Sequence, residues 1–268
     1  MDLLAEILTR KRREIARRRA HSGPCQSAAA PRSGPSGSSR ADSAYQALYR
    51  ASGARLKVIA EIKLASPSAG LIRERTPGSV GQIAQAYARA GASAVSVLCD
   101  YCGFKGTPLD LRRAARVVTI PLLFKEFVLD PVQIELARRL GASMVLLMVR
   151  ALSSADLRRL VRETFDQGLA PLVEATDERE LQVALETDAR IVGINSRDLR
   201  SFRLDREAAA RLVEQIPSGR IAVYMSGISS GEDLARIATT RADAALIGES
   251  LMRAPQPGLR LEEYLKTV

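Results

Sequence analysis

ARRLGASMVLL, residues 137–147, reads as four parts in a row: the end of an amphipathic helix, a glycine that stops it, two small residues, and a short aliphatic run. The same order stands at 88–97, ARAGASAVSV, and again at 240–248, TRADAALIG, without the first glycine. The copies are spaced at multiples of about one β/α unit, so they form a weak internal repeat in which a helix hands over to a buried strand.

Outward from these copies the same texture runs from about residue 42 to the end. Short runs rich in β-branched and aliphatic residues fall at 58–62, 94–98, 122–124, 144–148, 171–173, 191–194, 221–224 and 244–247, and each reads as a strand. Between them lie amphipathic patterns such as SVGQIAQAYARAG (79–91), DPVQIELARRLG (130–141) and SADLRRLVRETFDQG (154–168). The last has Ser153 or Ser154 as its N-cap and Gly168 as its stop. Strand alternating with helix implies parallel strands joined by right-handed crossovers. Eight of them, with no G-x-G-x-x-G after the first, favour a closed (β/α)8 barrel over an open doubly wound sheet.

Ahead of the barrel, residues 22–41 (SGPCQSAAAPRSGPSGSSRA) are dominated by Ser, Gly, Pro and Ala. Such a composition buries too little apolar surface to offset its ordering entropy, and it reads as a flexible linker. The first twenty residues, MDLLAEILTRKRREIARRRA, place Leu3, Leu4, Ile7 and Leu8 on one side of a helix with a basic tail. Asp2, Glu6 and Glu14 are out of place in a transit peptide, which leaves a surface helix packed on the barrel. The expected division is a helix and linker over 1–42 and a catalytic barrel over 43–268.

The 268 residues suit one such barrel, and no run approaches the roughly 18 apolar residues of a membrane span. A formal charge of +10 raises the question of polyanions. Its arginines, however, are scattered over many helices beside acidic neighbours with few aromatics between them, the pattern of solvated faces around a site for an anionic metabolite rather than of specific nucleic-acid binding. Three cysteines, Cys25, Cys99 and Cys102, make no disulfide framework and point to a reducing, cytoplasmic setting. Cys99 and Cys102 do form a C-x-x-C, but no second pair follows, and the one histidine, His21, is far away in the sequence, so no metal is expected.

In a barrel of this kind catalytic groups sit at the carboxyl ends of strands, and phosphate is often held after strands 7 and 8. Polar residues collect at those ends: Glu61 and Lys63 at the first strand, Lys125 and Glu126 at the third, Glu174 at the fifth, Asn195 at the sixth, Ser226 and Gly227 at the seventh and Gly248 at the eighth. Lysine is the informative type. Only six of the forty basic residues are lysine, yet Lys63 and Lys125 both end strands at the same mouth. A lysine can release and regain a proton when its surroundings lower its pKa, whereas arginine stays charged, so proton transfer is a natural role for the pair. The alternative is structural pairing, Lys63 with Glu61 for instance. SGIS (226–229) and IGES (247–250) each offer backbone N–H groups before a helix start, and together they can form an anion nest.

These residues resemble the indole-3-glycerol phosphate synthase family. VIAEIKLASPSAGLI (58–72) is similar to the family's E-x-K-x-x-S-P-S strand signature. The likeness continues through VSVLCDYCGFKG (95–106), the run from 122 to 147, LVEATDEREL (172–181), GINSRDLRSF (193–202) and LIGESLMRAPQPG (246–258). The resemblance implies closure of the indole ring of 1-(2-carboxyphenylamino)-1-deoxyribulose 5-phosphate with loss of carbon dioxide and water, without metal or organic cofactor. It implies Lys125 as general acid on the ketone, Lys63 at the carboxylate and in dehydration, Glu61 setting its charge state, Glu174 exchanging protons, and Asn195 holding hydroxyls. Ser66, Arg197, Ser226, Gly227, Gly248 and Glu249 would bind phosphate, while Pro67, Phe104 and Phe127 would flank the aromatic ring. A monomer or weak homodimer is expected, with no membrane partner.

The likeness has gaps. Met225-Ser226-Gly227-Ile228 stands where the family reads E-S-G-I, and a thioether carries no proton. Glu126 replaces an aspartate, Ser196 an asparagine, and the segment from His21 to Arg40 departs from the family's text. Three readings follow: the synthase itself, a divergent relative acting on a modified anthranilate-derived ribulose phosphate, or a non-catalytic barrel that binds a phosphorylated ligand.

Overall fold

The computed structural model describes residues 3–21, 39–198 and 203–268. Eight strands form the ring: β1 (Lys57–Ile62), β2 (Ala94–Leu98), β3 (Leu122–Lys125), β4 (Met144–Met148), β5 (Ala170–Ala175), β6 (Ile191–Asn195), β7 (Ile221–Met225) and β8 (Ala244–Ile247). Each is parallel to its neighbours in chain order, and β1 meets β8 to close the barrel, with Lys57 beside Ala244 and Ala60 beside Ile247. Sheet closure removes all edges, so every strand can be apolar on both faces.

The helices lie between strands as expected. The one over Pro131–Leu140 starts with Asp130 accepting from the Val132 N–H and stops at Gly141, whose φ of 101° excludes most L side chains. Ser153, not Ser154, caps the helix Ser154–Asp166. Several strands run further than the sequence reading gave them. β3 includes Lys125, β6 includes Asn195 and β7 includes Met225, because main-chain pairing continues past the point where the side chains cease to be aliphatic.

Strand parity decides which residues reach the mouth. One apolar cluster holds the inward positions Ile59, Ala94, Leu123, Met144, Ala170, Ile191, Ile221 and Ala244 near the amino ends of the strands. A second holds the outward ones, such as Val58, Val95, Phe124, Val145 and Val192, packed under the helices. Since side chains alternate, steps of two from Ile59, Leu123, Leu172, Ile191 and Val223 bring Glu61 and Lys63, Lys125, Glu174, Asn195 and Met225 to the inside.

Two N-terminal helices attend the two ends of the barrel. Helix α1 (Leu3–His21) buries Leu4, Ile7 and Leu8 in one cluster with Phe127, and Lys11 reaches Asp100 and Glu126 past the ends of β2 and β3. Helix α2 (Arg40–Leu48) starts in a reciprocal capping box between Ser39 and Asp42. It presses Ala41, Ala44, Tyr45 and Leu48 into the inward cluster from the amino-terminal side, and Arg190 stacks over the Tyr45 ring at 4.1 Å. Leu48 is fully buried there, so truncation to alanine costs about 2–5 kcal/mol. The linker expected over 22–41 lies outside the described residues up to 38, whereas Arg40 and Ala41 are helical.

Candidate active site

A cavity of about 620 Å³ opens at the carboxyl ends of the strands, as barrel geometry requires. Its walls include all fourteen residues singled out above: Glu61, Lys63, Lys125, Glu174 and Asn195; Ser66, Pro67, Phe104 and Phe127; and Arg197, Ser226, Gly227, Gly248 and Glu249. Met225 is not among them.

At the centre two ammonium groups share one carboxylate. Lys63 Nζ is 3.2 Å from Glu61 Oε1, and Lys125 Nζ is 3.4 Å from Glu61 Oε2. Glu61 is 3% exposed, and burial works to raise its carboxyl, but Lys125 and Lys63 outweigh that and hold it below the usual glutamate range. The Ser96 hydroxyl adds a donor 3.4 Å from Oε2. Gly248 makes room for this arrangement: a methyl group on it would meet Glu61 Oε1 at 2.6 Å. Lys125 also stands 3.9 Å from Glu174 Oε2, an oxygen with no hydrogen-bond partner among the described residues, while the other Glu174 oxygen accepts from Asn195 Nδ2 at 3.1 Å. The salt bridge between Lys63 and Glu61 that a purely structural reading would want is present, yet both lysine side chains keep part of their surface open.

The walls divide by chemistry. On one side Phe104 and Phe127 are tilted together with ring centroids 6.2 Å apart, and Pro67, Leu98, Leu146 and Met148 join them. Together they form an apolar wall of the cavity. On the other side Ser226 and Gly227 have φ of 70° and 73°. For Ser226 that conformation costs about 1–2 kcal/mol, a strain that is typical of functional turns. A methyl on Gly227 would meet Ser196 Oγ at 2.9 Å, so a side chain there must displace Ser196 as well as accept the left-handed backbone. Glu249 keeps its carboxylate on Arg253 at 3.0 Å.

Two features escaped the sequence reading. Arg206 lines the anion side, with its Nη1 3.6 Å from Asp233, but in a chain whose default cation is arginine nothing marked it. The buried trio of Lys11, Asp100 and Glu126 was also missed, although a lone lysine in the run Arg10-Lys11-Arg12-Arg13 was a signal. Burial pushes the Glu126 carboxyl up to about 7, with Lys11 opposing and Asp100 adding to the rise. The C-x-x-C splits: Cys99 is buried and Cys102 exposed, both as free thiols, and no cluster able to hold a metal occurs among the described residues. No helix among those residues is long and apolar enough to cross a membrane.

A parallel eight-stranded barrel with paired lysines and carboxylates beside an apolar wall and a strained strand-end turn has the architecture of the barrel enzymes that act on phosphorylated small molecules. Comparison with known proteins narrows the class. The family model for indole-3-glycerol phosphate synthase matches residues 4–264. The indole-3-glycerol phosphate synthase of Carboxydothermus hydrogenoformans is 42% identical over 222 residues, covering 82% of this chain and 83% of that protein. That of Acidithiobacillus ferrooxidans is 41% identical over 263 residues, 97% of each. Among solved structures, thiamine phosphate pyrophosphorylase from Pyrococcus furiosus superposes with a TM-score of 0.56 at 14% identity, covering 79% of this chain and 95% of that one, which shows the fold alone. The chain belongs to the indole-3-glycerol phosphate synthase family, the carboxy-lyases of tryptophan biosynthesis.

Proposed function

We propose that this chain closes the indole ring of 1-(2-carboxyphenylamino)-1-deoxyribulose 5-phosphate, with the aryl group in the Phe104–Phe127 slot and the phosphate at the Ser226–Gly227 turn. The observation that carries the reading is the Glu61 carboxylate between Lys63 and Lys125, at 3.2 and 3.4 Å.

The ring carbon that bears the carboxylate attacks the ketone carbon, and Lys125 donates a proton to the ketone oxygen as the bond forms. Lys63 faces the substrate carboxylate, which leaves as carbon dioxide and returns its bonding pair to the ring. The new hydroxyl then departs as water with a proton from Lys63, while Glu174 takes the proton lost from the adjacent carbon. Asn195 holds the sugar hydroxyls; Ser66, Arg197, Gly248 and Glu249 join the phosphate grip. Glu61 holds both ammonium groups in place between steps, and the apolar side of the cavity excludes water, which strengthens each of these interactions. The protein acts in the cytoplasm as a monomer or weak homodimer, with the site residues all carried by the barrel over 43–268.

Steady-state turnover of that substrate, followed by indole absorbance, tests the reading, and a purified chain that makes no product ends it. Met225 favours one other reading, a modified anthranilate-derived substrate, because it removes a carboxyl group from the inner side of β7. A rate constant far higher on such a substrate than on the ordinary one would establish it.

A further inference from the structure

The run Arg10-Lys11-Arg12-Arg13 in α1 contains one lysine, and it alone of the four is buried, at 3% exposure. Its Nζ lies 3.2 Å from Asp100 Oδ1, 3.0 Å from Glu126 Oε2 and 2.9 Å from Glu14 Oε2. Asp100 and Glu126 are themselves buried. Taking an ammonium and two carboxylates out of water costs several kcal/mol per ion, which an aliphatic contact would avoid. Helix packing alone therefore gives no reason for this trio.

Position gives one. Asp100 lies just past β2, after Cys99, whose N–H donates to the Lys125 carbonyl, and its second oxygen accepts from the Gly103 N–H at 2.7 Å, capping the turn that carries Phe104. Glu126 follows Lys125, and its second oxygen accepts from the Phe127 N–H at 2.8 Å. Each carboxylate thus spends one oxygen on Lys11 and the other on the backbone of a loop that lines the cavity. One side chain from outside the barrel ties the ends of β2 and β3 to each other.

We propose that Lys11 is a positioning residue: by gripping Asp100 and Glu126 it fixes the separation of the Phe104 and Phe127 rings and the aim of Lys125. The inference rests on Lys125 being the acid of the proposed reaction. It makes α1 part of the active-site frame rather than a surface appendage.

The full-length chain is compared with Lys11→Met, with the double variant Lys11→Met/Glu126→Gln and with Lys125→Met. The double variant removes one charge of each sign, and Asp100 keeps Arg10 at 3.7 Å, so the fold retains no newly orphaned anion. Melting temperature, kcat, KM and hydrogen–deuterium exchange over 99–106 and 125–129 are measured. The expected double variant melts near the parent, exchanges faster in both segments and loses about tenfold or more in kcat, the scale of a small misplacement of catalytic groups. A double variant with parental exchange, or with parental kcat, overturns the proposal. So does a kcat that follows melting temperature across both Lys11 variants. Lys125→Met at the parental rate would instead overturn the assignment of the acid, and the exchange data still decide the tether if the parent shows no turnover.

Discussion

The Met225 sulfur fills the space that Gly193 leaves open on the neighbouring strand: a methyl group on Gly193 would meet Sδ at 2.5 Å. Met225 is fully buried and packs with Leu172 and Val223 in the inward cluster. The side chain is part of the floor beneath the cavity. Gly193→Ala is expected to displace it and to lower the melting temperature, the ordinary result of overpacking at about 1–3 kcal/mol.

Glutamate at this place tests what the floor contributes. Met225→Glu puts a third carboxyl among Glu61 and Glu174 with no cation to spare, so it is expected to melt earlier without a gain in kcat. A rise of about a hundredfold, the ordinary worth of a positioned acid or base, would show that proton transfer at this strand end limits the natural chain. Melting curves and steady-state rates on the same preparation decide.

Lys125 and Lys63 are not equivalent. Lys125 lies within 4 Å of both Glu61 and Glu174, whereas among the described residues Lys63 is paired with Glu61 alone. Lys125→Met is expected to lower kcat by about 10²- to 10⁴-fold with product affinity little changed, and Lys63→Met by less. Rapid-quench turnover and product titration measure the two quantities separately.

The proposed phosphate turn predicts a different signature. Gly227→Ala must seat a side chain at φ 73° and against Ser196 Oγ. The expected result is a KM about tenfold higher, equivalent to about 1.4 kcal/mol, with a much smaller change in kcat. Competition by inorganic phosphate should weaken in parallel. An unchanged phosphate constant would remove this turn from the binding site.

Acidity separates two of the buried carboxylates, Glu61 and Glu126. Glu61 has a folded-state pKa below its ordinary 4.5, so it contributes stability above that pH and loses it as pH falls through the folded value. Glu126, pushed up to about 7, binds its proton more tightly folded than unfolded, so its contribution declines as pH rises from 4.5 to about 7. Glu61→Gln should therefore flatten the melting-temperature profile below pH 4.5, and Glu126→Gln between 4.5 and 7. Thermal scans across pH 3–8 check both windows.

The barrel was legible because its signals are local and periodic. Gly141 and Gly168 stop helices, Asp130 and Ser153 start them, and the aliphatic runs alternate with them in order. The mouth was legible because Lys63 and Lys125 interrupt an arginine-rich text at strand ends. What sequence did not disclose is long-range and sterically defined. Lys11 meets Glu126 across 115 residues, the close fit of Gly248 against the Glu61 carboxylate is purely steric, and Arg206 looks like any other helical arginine. None of these leaves a trace in spacing.

Gly248 lies just past β8 and Glu61 near the end of β1, the two strands whose meeting completes the ring. The anion on which both lysines rest is therefore housed at the seam. A barrel still unzipped along that seam would carry Glu61, Lys63 and Lys125 and lack the niche that holds them together, so the proposed chemistry waits on the meeting of the eighth strand with the first.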